Sequence, residues 1–445
     1  MSKVYVVVGL GFGDEGKGAI TGFLTKKYNS TLTVRFNGGA QAAHAVVLED
    51  GRHHIFSQFG SGTFVPGCRT HLSRHMLVNP IAMQAEARHL IGLGVHDVWS
   101  RVTVEASALV TTPWHVALNR LREMSRGKNR HGSCGMGIGE TVEDHVAHGG
   151  LRVSDVHQGA VYPVCFRKTL QRIRERLKAV ADNLPLPDSA EASVELNILN
   201  DSEALVGQVV GAMTEWVRRV EVVGYPWLQE ELRKNQAIVF EGAQGVLLDE
   251  NYGFHPHTTW SQTTFAHANG LISGSERDVD VVRIGVLRAY HTRHGAGPFP
   301  TEDIEMGQAL PEAHNDSAHT YQQGFRVGAF DTVLARYARQ VTGPLDMIAV
   351  NHLDRVTGRA RICTHYEPRR PVNRDNPTRF TEIPASQSLA SQEQMGKILT
   401  HNIRPVIKNL LSDELVSEVQ KATQTPVRCL GYGPRASDKT WLGDS

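Results

Sequence analysis

The chain opens Val4-Tyr5-Val6-Val7-Val8-Gly9-Leu10-Gly11-Phe12-Gly13-Asp14-Glu15-Gly16-Lys17-Gly18-Ala19-Ile20, and this stretch constrains the fold more than any other. An apolar, mostly β-branched run without polar alternation suits a strand buried on both faces, as in a parallel sheet. The glycines behind it let the backbone take positive φ and turn N–H groups toward a ligand. A helix starting after such a turn adds unpaired N–H groups and a partial positive charge, and Lys17 adds a full one. Strand, turn and helix together describe a phosphate cradle. Asp14 and Glu15 lie within it, and an acid beside a bound phosphate suggests a metal ligand or a base. The spacing departs from the Walker form G-x-x-x-x-G-K-[ST], because Gly18 follows the lysine. The bare pattern also fits a tight strand–helix turn with a surface lysine.

The unit of strand, small-residue loop and helix recurs down the chain. Thr33–Phe36 reads as a strand delivering Asn37-Gly38-Gly39-Ala40-Gln41-Ala42-Ala43-His44. In open α/β sheets ligands sit outside the carboxyl ends of strands, so this second loop should face the first and bring His44 near Asp14. Residues 54–64 read as another small-residue loop, and 82–94 and 114–126 carry helical apolar spacing. The run 131–139, rich in glycine, suits either a linker or a ligand loop; its flanking helices favour the loop. Residues 165–235 read as a mostly helical insertion, looser at 182–194. Ala237–Phe240 is a strand leading to Glu241-Gly242-Ala243-Gln244-Gly245, and Val281–Tyr290 leads to Thr292-Arg293 and a Gly-Pro loop. Residues 312–327 are polar, and a helix is expected at 328–342. A strand follows at 348–354, then a helix at 404–422 and a strand at 427–430. The expected class is α/β: a parallel-rich central sheet flanked by helices, one domain over 1–445.

Composition narrows the function. The net charge is +1, which argues against a nucleic-acid scaffold, since such a chain would normally show a basic face or tail. Five scattered cysteines without a C-x-x-C pair argue against a disulfide framework and for a reducing cytoplasm. No apolar run is long enough to span a bilayer, and no signal peptide precedes the first strand. The 22 histidines show no metal-ligand spacing such as H-E-x-x-H.

Taken together the loops resemble the adenylosuccinate synthetase family. The likeness rests on Gly13-Asp14-Glu15-Gly16-Lys17-Gly18, Gly38-Gly39 with His44, Gly137-Ile138-Gly139, Phe240-Glu241-Gly242-Ala243-Gln244-Gly245, Gly295 to Glu302, Asp331-Thr332-Val333, Leu353-Asp354 and Gly433-Pro434. These motifs run in family order across nearly the whole chain. The resemblance implies a ligase that moves the γ-phosphoryl of a nucleoside triphosphate to the C6 oxygen of a 6-oxopurine nucleotide, after which the amine of L-aspartate displaces phosphate. It implies Asp14 as base for the N1 proton and as ligand of Mg²⁺, with the carbonyl of Ala43 as second ligand. His44 then serves the transferring phosphoryl. Lys17, Gly13, Glu15, Gly16 and Gly18 would hold the triphosphate, and His352, Asp354, Gly433 and Pro434 its base. Gln41, Ser133, Cys134, Gln244, Leu248, Thr259 and Gln323 would hold the purine monophosphate, joined across a homodimer by His148. Thr320 and Arg326 would hold aspartate.

This sequence departs from the family where substrates are read. His352 replaces the guanine-reading lysine, with Asp354 retained. The arginine-rich loop is reduced to Gln322-Gln323-Gly324-Phe325-Arg326, the family's threonines at the substrate phosphate are Ser133-Cys134, and its asparagine before the histidine is Gln41. The pattern resembles the phage-type branch that uses dGMP and accepts ATP, making N6-succino-2-amino-2′-deoxyadenylate, in a host cytoplasm if phage-encoded. The alternatives are ordinary IMP amination with GTP, a non-catalytic nucleotide-binding protein on the same fold, and a generic phosphate-loop kinase or ATPase.

Overall fold

A computed structural model describes residues 2–157, 162–200, 203–275, 279–310, 321, 324–370 and 378–443. Its centre is a ten-stranded sheet. From one edge the strands run Lys439–Trp441, Val427–Gly431, Met347–Asn351, Asp280–Arg288, Lys3–Gly9, Ala237–Gly245, Leu32–Arg35, Arg69–Leu72, Val102–Glu105 and Glu221–Val223. All neighbours pair in parallel except Lys439–Trp441, which runs antiparallel along the edge.

The first strand lies near the middle and is covered on both sides, which explains its unbroken hydrophobicity. Val4, Val6 and Val8 pack into one cluster with Ile238, Phe240, Leu271 and Val333. Tyr5 and Val7 face the opposite way, with Ile20 and Leu24 of the helix Lys17–Lys27. The helices Tyr162–Asn183, Ala190–Asn200 and Glu203–Val217 form the helical segment expected at 165–235, over a core that includes Trp114, Phe166 and Trp216. That segment ends by returning Glu221–Val223 to the sheet edge.

Two expectations need correction. The stretch 404–422 is a strand, Ile403–Leu411, followed by a helix, Ser412–Thr423. Ile403, Val406, Ile407, Leu410 and Leu411 have helical spacing, but pairing along the full length of the strand Arg359–Pro368 overrides it. Residues 54–64 are not a plain loop either: His53–Phe56 pairs with His44–Val47 as a hairpin, and Ser61–Phe64 is a short 3-10 turn. The residues 312–320 and 322–323 lie outside the described part. No helix among the described residues is long and apolar enough to cross a membrane, and the five cysteines are free.

Candidate active site

Because the central strands are parallel, their carboxyl ends share one edge of the sheet. The loops after Gly9, Arg35, Gly245, Arg288, Asn351 and Gly431 all converge there. Among the described residues six non-glycines have positive φ, and three of them stand at this edge: Asp14 and His352 on the loops, and Gln244 at the end of the strand Ala237–Gly245. Such conformations are costly and are held by their surroundings, most often where a ligand is handled.

In the first loop Gly13 and Gly16 have φ of 97° and 86°, and Gly16 caps the helix that begins at Lys17. Glu15 turns inward. Its Oε1 accepts the N–H groups of Gly11 (3.0 Å) and Gly13 (2.8 Å), and its Oε2 lies 2.6 Å from Nζ of Lys17. Both side chains are 3% exposed, so a carboxylate fills part of the anion cradle. Gly245 leaves room for it: a Cβ there would stand 2.2 Å from the Gly11 carbonyl oxygen and 2.6 Å from Oε1 of Glu15. The loop is pinned from the next strands by Asn351, whose Nδ2 donates to the Glu15 carbonyl at 2.8 Å. Arg288 donates to the Asp14 carbonyl at 3.1 Å.

Asp14 faces the other way. Its Oδ2 lies 2.9 Å from Nε2 of His294. Burial works to raise its pKa, but the hydrogen bond and charge of His294, with Arg288 and Lys17, outweigh it and hold the carboxyl at about 2. The group is therefore an anion at neutral pH.

His44 begins the hairpin strand His44–Val47 and lies against Gly18, where an added Cβ would come within 2.7 Å of the His44 Cβ. Its Nδ1 is 2.6 Å from Oε1 of Glu241. Glu241 is fully buried, accepts the Ser61 N–H at 2.9 Å and also takes the Ser61 hydroxyl. Burial pushes the His44 pKa down against the pull of Glu241. Burial would raise Glu241, but Arg35 and His44 together bring it below its usual value. A neutral imidazole bonded to a carboxylate through Nδ1 presents Nε2 as its second functional atom. The signal of Glu241 in the sequence is an acid that directly follows the apolar run Ala237–Phe240 inside the strand Ala237–Gly245.

Gln41 and Gln244 form the most telling pair. Both amides are buried, and neither the oxygen nor the nitrogen of either has a hydrogen-bond partner. They border adjacent glycines: an added Cβ at Gly38 would lie 3.3 Å from Oε1 of Gln244, and one at Gly39 would lie 3.1 Å from Oε1 of Gln41. Asn37 ties the two loops, accepting the Ala243 N–H at 2.7 Å and donating to its carbonyl at 3.2 Å. Buried amides without partners are rare and expensive unless a ligand meets them.

The remaining candidates are more dispersed. Ser133 donates its hydroxyl to Asn119 of the helix Pro113–Arg126 at 2.8 Å, and burial pushes the neighbouring Cys134 thiol up to about 11. The loop around His257 joins it, with His257 Nδ1 3.2 Å from the His131 carbonyl. Thr259 donates its N–H to the Leu248 carbonyl at 2.8 Å. Arg326 is engaged by Glu302 and by the Gly297 carbonyl, each at 2.8 Å. His148 is exposed at the end of its helix. Thr320 and Gln323 lie outside the described residues. On the far side His352 stacks edge-on to Tyr290 at 6.1 Å, with Nδ1 buried and unpartnered. Asp354 is exposed on the following 3-10 turn. The Gly433 carbonyl accepts from Lys439, and Ser437 bonds Glu49 of the His44 hairpin, so the two loops meet beside Pro434 around a cavity of about 200 Å³.

A mostly parallel sheet carrying a glycine-rich phosphate loop at its carboxyl edge defines an α/β protein of the nucleotide-phosphate-binding kind. The family model for adenylosuccinate synthetase matches residues 6–440. Adenylosuccinate synthetase of Magnetococcus marinus is 33% identical over 373 residues, covering 82% of this chain and 81% of its own length. That of Clostridium botulinum is 28% identical over 443 residues and 97% of each. The chain belongs to the adenylosuccinate synthetase family and is a carbon–nitrogen ligase of that type. Among solved structures, the fully ligated adenylosuccinate synthetase of Plasmodium falciparum superposes with a TM-score of 0.77 at 20% identity over 99% of both chains. A succinoaminodeoxyadenylate synthetase of cyanophage S-2L, bound to dGMP and to dATP as an energy donor, gives 0.59 at 16% identity over 100% of this chain and 96% of its own.

Proposed function

We propose that this ligase joins the amine of L-aspartate to C6 of a 6-oxopurine nucleotide. Asp14 takes the N1 proton while the γ-phosphoryl moves to the C6 oxygen; the aspartate amine then adds at C6 and phosphate leaves. A carbonyl oxygen is a poor leaving group, and its phosphoryl ester is a good one. The observation that supports this most is the pair of unpartnered amides, Gln41 and Gln244, beside a glycine-rich loop whose second carboxylate, Asp14, is not taken up by the loop itself and meets His294 instead. They offer donors and acceptors where a polar purine nucleotide needs both. Lys17 and the loop N–H groups serve the triphosphate, and His44, oriented by Glu241, serves the transferring group.

Mg²⁺ fits the donor set. The Asp14 carboxylate and the carbonyl of the exposed Ala43 are hard oxygens, and Mg²⁺ takes few protein ligands beside phosphates and water. Among the described residues no cluster of three or more histidine, cysteine or acidic side chains suits a metal, so a softer ion has no cage here. When bound, the ion supplies charge neutralisation to the phosphates.

The acceptor we favour is dGMP, with ATP as donor. The residues changed from the family pattern, Gln41, Ser133, Cys134 and His352, all belong to segments assigned to substrate recognition, while Asp14, Lys17 and His44 are kept. His352 stands at the sequence position of the family's guanine-reading lysine, which supports a donor other than GTP. The cyanophage enzyme bound to dGMP has the same fold. IMP with GTP is the second reading, favoured by the retained Asp14 and by relatives named adenylosuccinate synthetase. A phosphate-release assay of dGMP and IMP, each with ATP and GTP, separates them. Turnover of dGMP with ATP supports the first reading; turnover confined to IMP with GTP rules it out. A homodimer completed by His148 belongs to the same proposal, and His148→Ala should raise the nucleotide KM in a protein that stays dimeric.

A further inference from the structure

The carboxylate of Asp14 is held by an element that nothing in the loop itself requires. Glu15 is consumed by Gly11, Gly13 and Lys17, so Asp14 is the one loop carboxylate left to act. Its backbone is already fixed, with φ of 60° and the carbonyl on Arg288. Its side chain is fixed separately. His294 ends the strand His291–His294, which pairs antiparallel with Phe325–Gly328, and His294 stands opposite Phe325 with ring centroids 5.0 Å apart. This ribbon, not the phosphate loop, aims Nε2 at Oδ2 from 2.9 Å. The imidazole is 16% exposed and the carboxylate 29%, so the contact lies at the wall of the site.

We propose that His294 is a positioning residue for Asp14: by engaging Oδ2 it stops the carboxylate from rotating and presents Oδ1 to the purine. The proposal rests on the ligase reading above, in which Asp14 accepts the N1 proton. A carboxylate on a strained residue beside water has several rotamers of similar energy, and only one carries a proton acceptor into the productive geometry. Outer-shell groups that orient a metal-ligating carboxylate or histidine commonly govern a factor of about 10–100 in metal affinity or activity, and Asp14 is proposed above as such a carboxylate.

Two variants distinguish positioning from mere packing. His294→Phe keeps an aromatic ring against Phe325 but lacks the N–H; His294→Gln loses the ring and keeps a donor. In steady-state assays with the purine monophosphate, L-aspartate and the triphosphate, His294→Phe should lower kcat about 10–100-fold. Its triphosphate KM and thermal midpoint should stay near wild type, and His294→Gln should recover most of the loss. A wild-type kcat in His294→Phe, or equal losses in both variants, overturns the proposal. A wild type that releases no phosphate with any 6-oxopurine nucleotide and aspartate instead overturns the ligase reading, and the positioning role with it.

Discussion

The Glu15–Lys17 pair permits a quantitative prediction. In the phosphate loop a carboxylate takes the hydrogen bonds an anion would take: two glycine N–H groups and the Lys17 ammonium. Both side chains are 3% exposed, so the pair is desolvated and solvent screening is slight. Breaking such a pair by removing one partner costs about 3–5 kcal/mol. Glu15→Gln keeps the shape and one acceptor oxygen, so about 3 kcal/mol applies. Unfolding entropy of about 2.1 cal/mol/K per residue over 445 residues gives about 0.9 kcal/mol/K, so the midpoint should fall by about 3 °C. A triphosphate supplies the missing anion to Lys17, so saturating nucleotide should raise the melting temperature of the variant more than that of the wild type. Differential scanning fluorimetry with and without ATP and Mg²⁺ measures both quantities. A variant that melts at or above the wild type without nucleotide, or equal nucleotide shifts in the two proteins, would refute the idea that Glu15 stands in for a phosphate.

Other consequences are as direct. Glu241→Gln should leave nucleotide affinity almost unchanged and lower kcat by about 10²-fold, because His44 loses the charge that orients it; stopped-flow or steady-state kinetics decide. Gly245→Ala should abolish triphosphate binding, measured by calorimetry, since its Cβ would collide with the Gly11 carbonyl and Glu15. Asp331 gives a pH signature away from the site. It caps the helix Thr332–Thr342 through Val333 and Leu334 and takes the Tyr366 hydroxyl at 2.7 Å. Burial, stronger than those hydrogen bonds, raises its pKa from 3.8 to about 6. Between these values the folded state holds a proton that the unfolded chain has released. Stability therefore falls as pH rises through that window, by about 3 kcal/mol in all. Asp331→Asn keeps the cap and removes this slope, so the gap between variant and wild-type melting curves should widen in the variant's favour from pH 4 to 6; parallel profiles would contradict it.

Much of this was legible in the chain. The strand Lys3–Gly9 announces itself because both its faces are buried, and Gly13, Gly16 and Lys17 carry the cradle chemistry locally. Ile403–Leu411 misleads for the opposite reason: its apolar spacing is helical, and only the distant partner Arg359–Pro368 makes it a strand. The same non-locality hid the partners that tune the site. Asp14 and His294 are 280 positions apart, and His44 and Glu241 are 197 apart. Each residue type is suggestive alone; the pairing exists only once parallel strands bring their carboxyl ends to one edge. Glu15, adjacent to Asp14, looked like its equivalent, yet the turn at Gly13 and Gly16 sends one acid inward to Lys17 and the other outward to His294.

The central claim is that Asp14 removes the proton that lets a purine oxygen become a leaving group for aspartate. Phosphate release by wild type and Asp14→Asn, with and without L-aspartate, tests it most directly. The wild type should release phosphate only when triphosphate, 6-oxopurine nucleotide and aspartate are all present. Asp14→Asn should lower kcat by about 10²–10⁴-fold while still binding triphosphate. Phosphate release that does not need aspartate, or an Asp14→Asn enzyme with wild-type turnover, would contradict the account.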